Sequence, residues 1–341
     1  MSAGKIFGEN DAMEHAGFQH QALIYEGADQ YLAGTLPFLR AALEAGEPAL
    51  VAVRRERAKL LEAELGAEAG QIRFLPIEEV GRNPALVISF WRDFVEASGG
   101  GPARGVGESV WSGRSPAALD ECHRHEALLN PAFASAQPWS LLCPYDAQAL
   151  PDEELEIAVR THRQISREGR TEESAAFDFH PDSLSGELPS PAMRPDTISF
   201  GLTELSEVRR RVTAAAERAG QDPSAVADLV TAVSELAANS VMHGDGTGTL
   251  RLWREGGMLL AEVEDAGRIE EQLVGRLRPD IRQEGGRGLW LANQLCDLVQ
   301  IRSGEGGTVV RLHVTAQERA QGSEPPPAAT DPRAEAEPSN V

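Results

Sequence analysis

Glu235, Asn239 and His243 stand four residues apart in the stretch Glu235-Leu-Ala-Ala-Asn239-Ser-Val-Met-His243-Gly244. On an α-helix that spacing stacks a carboxylate, an amide and an imidazole along one stripe. Val226, Leu229, Val230, Val233, Leu236 and Ala237 are apolar at helical intervals and predict the core side of the same helix. Asp222 before Pro223 offers an N-cap with proline at the first helical position, so a helix is expected over 223–242. A carboxylate and an amide beside an apolar face are costly to bury without a partner. A solvated edge, a bound ligand or a metal ion would each satisfy them, and the stripe alone leaves the three open.

Three further blocks follow. Glu262-Val-Glu-Asp265-Ala-Gly267 reads as a strand ending in Asp-x-Gly, Gly285-Gly286-Arg287-Gly288-Leu289 as a glycine-rich loop opening a helix, and Gly306-Gly307-Thr308-Val309-Val310 as the start of a last strand. Backbone N–H groups at a helix start that carries Gly286 and Gly288 favour phosphate oxygens. No GxxxxGK[ST] occurs, which excludes a P-loop as the nucleotide site.

In this order, over about 194–315, the four blocks resemble the ATP-binding fold shared by gyrase, histidine kinases and the anti-sigma-factor serine kinases, the GHKL fold. The resemblance implies ATP and Mg²⁺ as cofactors. It implies that Asp265 reads the exocyclic amine of adenine, with Gly267 beside the ring and Thr308 near the purine region. Asn239 would hold Mg²⁺, and Gly286, Arg287 and Gly288 would take the phosphates. Glu235 matches the carboxylate that removes the proton from an attacking serine hydroxyl, and His243 closes the helix end. The chain departs from the pattern twice: the second glycine usual after Asp265-Ala266-Gly267 is missing, and the lid around Leu277-Arg-Pro-Asp-Ile281 is short.

Residues 18–167 alternate between strand-like and helical runs: 22–25, 49–53, 72–75, 105–110 and 139–143 as strands, with helices over 29–45, 55–65, 84–97, 116–129 and 151–168. Five such repeats predict a largely parallel sheet with helices on both faces. His20-Gln-Ala-Leu-Ile-Tyr25, Arg124-His125-Glu126-Ala-Leu-Leu-Asn130 and Leu142-Cys143-Pro144-Tyr145-Asp146 resemble the MEDS sensory domain, known from regulators of one-carbon metabolism. That resemblance implies a RecA-like sheet without a phosphate loop, and His20, Tyr25, His125, Glu126 and Tyr145 as candidate sensory-pocket residues. Two other readings compete. Cys122-His123-x-His125 has the residue types of a metal site but no second cluster at ligand spacing. His125-Glu126 before an apolar run is similar to a histidine-kinase phosphoacceptor, but Pro131, Pro144 and a proline-rich stretch break the helical hairpin that role needs.

The expected class is therefore α/β: an N-terminal RecA-like sheet at 18–168, then a two-layer α/β sandwich of the GHKL type at 197–315. An N-terminal extension covers 1–17, a linker rich in proline 169–196, and an acidic, proline-rich tail expected to be disordered 316–341. In the C-terminal domain strands are expected at 197–201, 249–253, 258–263, 298–302 and 308–314, with a helix over 288–297. Of 341 residues, 41% are hydrophobic and 25% charged, and the net charge of −21 argues against direct nucleic-acid binding. No run of about 18 apolar residues predicts a membrane span, and the three cysteines form no CxxC. The expectation is a cytoplasmic regulator whose sensory domain controls an ATP-dependent serine/threonine kinase of the anti-sigma type. Its partners would be an anti-sigma antagonist and a sigma factor, with a homodimer as a candidate assembly. A non-catalytic ATP-binding switch and a histidine kinase are the alternatives.

Overall fold

A computed structural model describes residues 17–134, 137–178, 186–279 and 286–316. Residues 1–16 of the expected N-terminal extension, 179–185 of the expected linker, nearly all of the acidic tail, and Asp280 to Gly285 of the lid and glycine loop lie outside the described residues.

The N-terminal half supplies seven strands: β1 (Phe18–Tyr25), β2 (Ala49–Val53), β3 (Arg73–Pro76), β4 (Ala103–Gly107), β5 (Trp139–Asp146), β6 (Gln164–Arg167) and β7 (Arg170–Glu173). Between them run α1 (Gly27–Ala45), α2 (Arg55–Leu65), the short α3 (Ile77–Val80), α4 (Val87–Ala97), α5 (Pro116–Phe133) and α6 (Asp152–Thr161). The order across the sheet is β3-β2-β4-β5-β1-β6-β7; every neighbouring pair is parallel except β6 and β7. The pleat sends Ala22 and Ile24 of β1 into one core, with α4, α5 and α6, and Leu23 and Tyr25 into the other, with α1 and α2. Burial on both faces explains the unbroken apolar run of β2.

The helix expected over 151–168 stops at Thr161. Glu168 and Gly169, both at positive φ, instead turn β6 back into β7, as a tight hairpin requires. Two strands thus replace the end of the helix and the beginning of the stretch expected as linker.

The C-terminal half folds as an antiparallel sheet in the order β11-β12-β10-β9-β8. Its elements are β8 (Asp196–Phe200), α7 (Leu205–Arg218), α8 (Pro223–His243), β9 (Gly248–Glu255), β10 (Met258–Asp265), α9 (Arg287–Leu295), β11 (Leu298–Gly304) and β12 (Gly307–Thr315). Asp222 caps α8, its carboxylate accepting from the N–H groups of Ser224 and Ala225. Leu229, Val233, Leu236 and Ala237 of α8 pack with α7, α9 and one face of the sheet. Among the described residues α8 alone has the length and composition of a membrane span, and this core accounts for its apolar side.

Buried polar contacts join the halves. Glu121 of α5, fully buried, receives the buried Arg276 at 2.5 Å and Arg302 of β11 at 3.1 Å. Arg302 also meets Asp120, which accepts from the Gln300 amide at 3.0 Å. Asn83 donates to the Asn293 side chain of α9 at 2.9 Å, and Asn293 in turn donates to the Gly275 carbonyl. The segment from Ala266 to Pro279 lies between the two cores: Leu273 and Leu277 pack on the first, Ile269 and Val274 on the second.

Candidate nucleotide site

The polar stripe of α8 faces the start of α9. A Cβ built on Gly288 would come 2.9 Å from Asn239 Nδ2 and 3.2 Å from Glu235 Oε2, so the start of α9 lies directly against both side chains. Gly286 precedes α9 in a left-handed conformation. Glu235 is exposed and Asn239 half-buried, while Arg287 sits exposed at the first turn of α9.

Asp265 closes the other end, where β10 runs beneath the end of α8. Val263 and Asp265 point to the helix side of the sheet, Glu262 and Glu264 to the opposite side. Its Oδ2 accepts from Ser240 Oγ at 2.6 Å and its Oδ1 from the Gly267 N–H at 2.8 Å. Each oxygen keeps a lone pair for a further donor. A Cβ on Gly244 would fall 2.6 Å from the Asp265 carboxyl carbon, and one on Gly267 would fall 2.7 Å from the His243 carbonyl. Thr308, opposite Asp265 in the β10–β12 register, donates to the Gly267 carbonyl at 2.8 Å. Glu235, Asn239 and Gly288 thus form one cluster, and Asp265, Gly267 and Thr308 a second at the C-terminal end of α8. His243 is exposed at that end.

The residues fit a nucleotide. They offer an amide oxygen and a carboxylate beside a helix start, and a carboxylate held in one orientation beside a glycine. Ser240 is not among the residues the sequence marks for the site; its contact with Asp265 is what gives it a task. A cavity of about 1050 Å³ lies on the opposite face of the second sheet, lined by Arg251, Glu264, Arg268, Arg302 and Arg311 among others. None of the expected nucleotide residues lines it, because Thr308 and Asp265 alternate to the helix side while Val309 and Glu264 face the cavity.

Of the five candidate sensory residues, the structure brings His20 and Glu126 together, with Tyr145 edge-on to the neighbouring His162 ring. Tyr25 lies across the sheet beside Tyr31 and Arg57. His125 is fully buried, and neither of its ring nitrogens has a hydrogen-bond partner among the described residues. Burial pushes His125 down to about 3 against the raising effect of Glu126. Burial, aided by His162, pushes His20 down to about 4, so both rings are neutral at pH 7. A phosphoacceptor must reach solvent, and His125 does not. Cys122, His123 and His125 also diverge: the Cys122 thiol contacts the Ser109 carbonyl, and His123 pairs with Glu154 at 2.6 Å.

Two family models match the chain. Residues 19–163 match the MEDS domain, described as MEthanogen/methylotroph, DcmR Sensory domain, and residues 198–314 match the Histidine kinase-like ATPase domain. Among solved structures, the RsbU and RsbW domains of Rv1364c from Mycobacterium tuberculosis align at 26% identity and a TM-score of 0.29, covering 39% of this chain and 34% of that one. The chain thus spans about a third of the length of that structure.

Proposed function

We propose that this chain, a MEDS domain followed by a histidine kinase-like ATPase domain, is a cytoplasmic signalling regulator whose first domain controls an ATP-dependent serine/threonine kinase of the anti-sigma type. The observation that carries this reading is the approach of Gly288 to Glu235 and Asn239, within the segment matched as an ATPase domain. ATP would supply the transferable phosphoryl group and Mg²⁺ the charge that offsets its oxygens. Asn239 would hold the cation through its amide oxygen, and the N–H groups at Gly286, Arg287 and Gly288 would orient the phosphates. Asp265, oriented by Ser240 and the Gly267 N–H, would accept from the adenine amine. Glu235, exposed one turn before Asn239, would take the proton from an incoming serine hydroxyl, a role worth about 10²–10⁴-fold in rate. The expected partner is an anti-sigma antagonist bearing that serine, with a sigma factor as a second partner.

Control by the first domain has a physical route. Arg276 belongs to the segment that links Asp265 to the glycine loop, and Glu121 of the MEDS domain holds it. A shift of α5 would move that segment, and with it the spacing of the two halves of the site.

The test is incubation with labelled ATP, Mg²⁺ and candidate antagonists. Acid-stable phosphoserine that disappears in Glu235→Gln supports the proposal. Mg-ATP binding without transfer to any antagonist contradicts the kinase and leaves the non-catalytic switch.

A further inference from the structure

Four ligand-type side chains from separate segments meet inside the MEDS domain: His20 on β1, Glu126 on α5, Cys143 on β5 and His162 just after α6, all buried. One ligand atom from each lies within 4.8 Å of all the others. His20 Nε2 is 3.2 Å and His162 Nε2 3.4 Å from Glu126 Oε2, and Cys143 Sγ is 3.5 Å from His20 Nε2. Tetrahedral zinc with bonds of about 2.0–2.3 Å keeps its ligand atoms about 3.3–3.7 Å apart.

Hydrogen bonds on the far side of each ring decide what the near nitrogens offer. Asn130 directs its NH₂ at the carbonyls of Ala127 and Thr161, so its Oδ1 is the atom that faces His20 Nδ1 at 3.3 Å. That oxygen can only accept, so His20 Nδ1 carries the proton. His162 Nδ1 lies 2.9 Å from the Ala158 carbonyl and carries a proton for the same reason. In both rings Nε2 is thereby left as the atom aimed at the Glu126 carboxylate. Among the described residues neither Glu126 oxygen nor His162 Nε2 has a hydrogen-bond partner. Ligand atoms gathered this closely away from solvent need a proton or a metal ion to join them, and the four together match a metal's donor set.

We propose that His20, Glu126, Cys143 and His162 bind one divalent transition-metal ion, zinc fitting the donor set best. Two imidazoles and a thiolate favour zinc, cobalt or iron over Mg²⁺ or Ca²⁺, which take oxygen ligands. Binding exchanges the Cys143 thiol proton for the metal, and both rings already present the required tautomer. Four protein ligands leave no open position, which makes this a structural or sensing centre. Nothing in it depends on the nucleotide site.

The test uses the full-length protein, assayed for zinc as purified, then stripped with chelator and titrated with Co²⁺. The expected results are one zinc per chain and, with Co²⁺, a thiolate charge-transfer band with the intense visible absorption of a tetrahedral site. The band should vanish in Cys143→Ser and persist in Cys122→Ser and Cys296→Ser, which alter the other two buried thiols. Asn130→Ala, which frees the His20 ring without removing a ligand, should weaken Co²⁺ binding about 10–100-fold. If Cys143→Ser does not fold, stripped wild type decides alone: no band with Co²⁺ and no rise in melting temperature with Zn²⁺ overturns the proposal. A band that survives Cys143→Ser overturns it equally.

Discussion

Helices α5 and α8 begin alike and end in opposite situations. Ser115-Pro116 opens one and Asp222-Pro223 the other, each with a capping oxygen followed by proline. Both then carry carboxylates among apolar residues. On α5, Glu121 is enclosed by two arginines and Glu126 by two histidines and a cysteine. On α8, Glu235 stands in solvent and Asn239 half in it. Glu121 and Glu126 of α5 are enclosed by the fold, whereas Glu235 and Asn239 of α8 face what arrives from outside. Substitutions of Glu121 or Glu126 on the first helix should therefore alter folding, and of Glu235 or Asn239 on the second they should alter binding alone.

The largest effect is expected at Glu121. In Glu121→Ala the Arg276 guanidinium stays buried with its carboxylate gone, at a cost of about 3–5 kcal/mol. Chemical denaturation should show that loss, and a variant as stable as wild type would break the comparison on the α5 side.

Acid should act next. His313 donates through Nε2 to Gln300 Oε1 at 2.9 Å, the only arrangement open once the Gln300 amide donates to Asp120. Burial, then the neighbouring Arg311, pushes His313 down to about 4. Its folded pKa is thus below the unfolded value of about 6.5. The stabilisation is complete above pH 6.5 and is lost as pH falls toward 4, up to about 3 kcal/mol. His313→Gln should flatten that part of the stability–pH curve, and an unchanged slope would refute it.

A smaller effect is expected where α8 touches the sheet. Ser240→Ala removes the 2.6 Å hydrogen bond to Asp265 and should cost about 1 kcal/mol, read as a lowered melting temperature. Asp265 loses its orientation in the same variant, so discrimination of adenine from guanine nucleotides should weaken with it. The smallest effect belongs to Glu235→Gln, whose exposed side chain should leave stability within about 0.5 kcal/mol of wild type. A clear melting-temperature loss there would mean that the α8 stripe is structural after all.

The same contrast explains what the sequence disclosed. The α8 stripe and its flanking glycines are visible because helical spacing and short glycine motifs are local. The contacts of α5 are not: Glu121 lies 155 residues from Arg276 and 181 from Arg302. His162 escaped notice because the helix was expected to continue to 168, whereas its end at Thr161 aims the ring at Glu126. Tyr25 illustrates the converse. It falls in the same motif as His20, but an odd number of residues along a strand puts it on the other side of the sheet.

Titration calorimetry of Mg-ATP against wild type and Asn239→Ala tests the central claim most directly. One molecule of ATP per chain is expected, with binding that requires Mg²⁺, fails with GTP and is lost in Asn239→Ala while the melting temperature of the free protein stays put. Binding at 100 times the dissociation constant should stabilise wild type by about 2.7 kcal/mol. No heat with wild type, or equal affinity in the two proteins, would contradict a nucleotide between α8 and the start of α9.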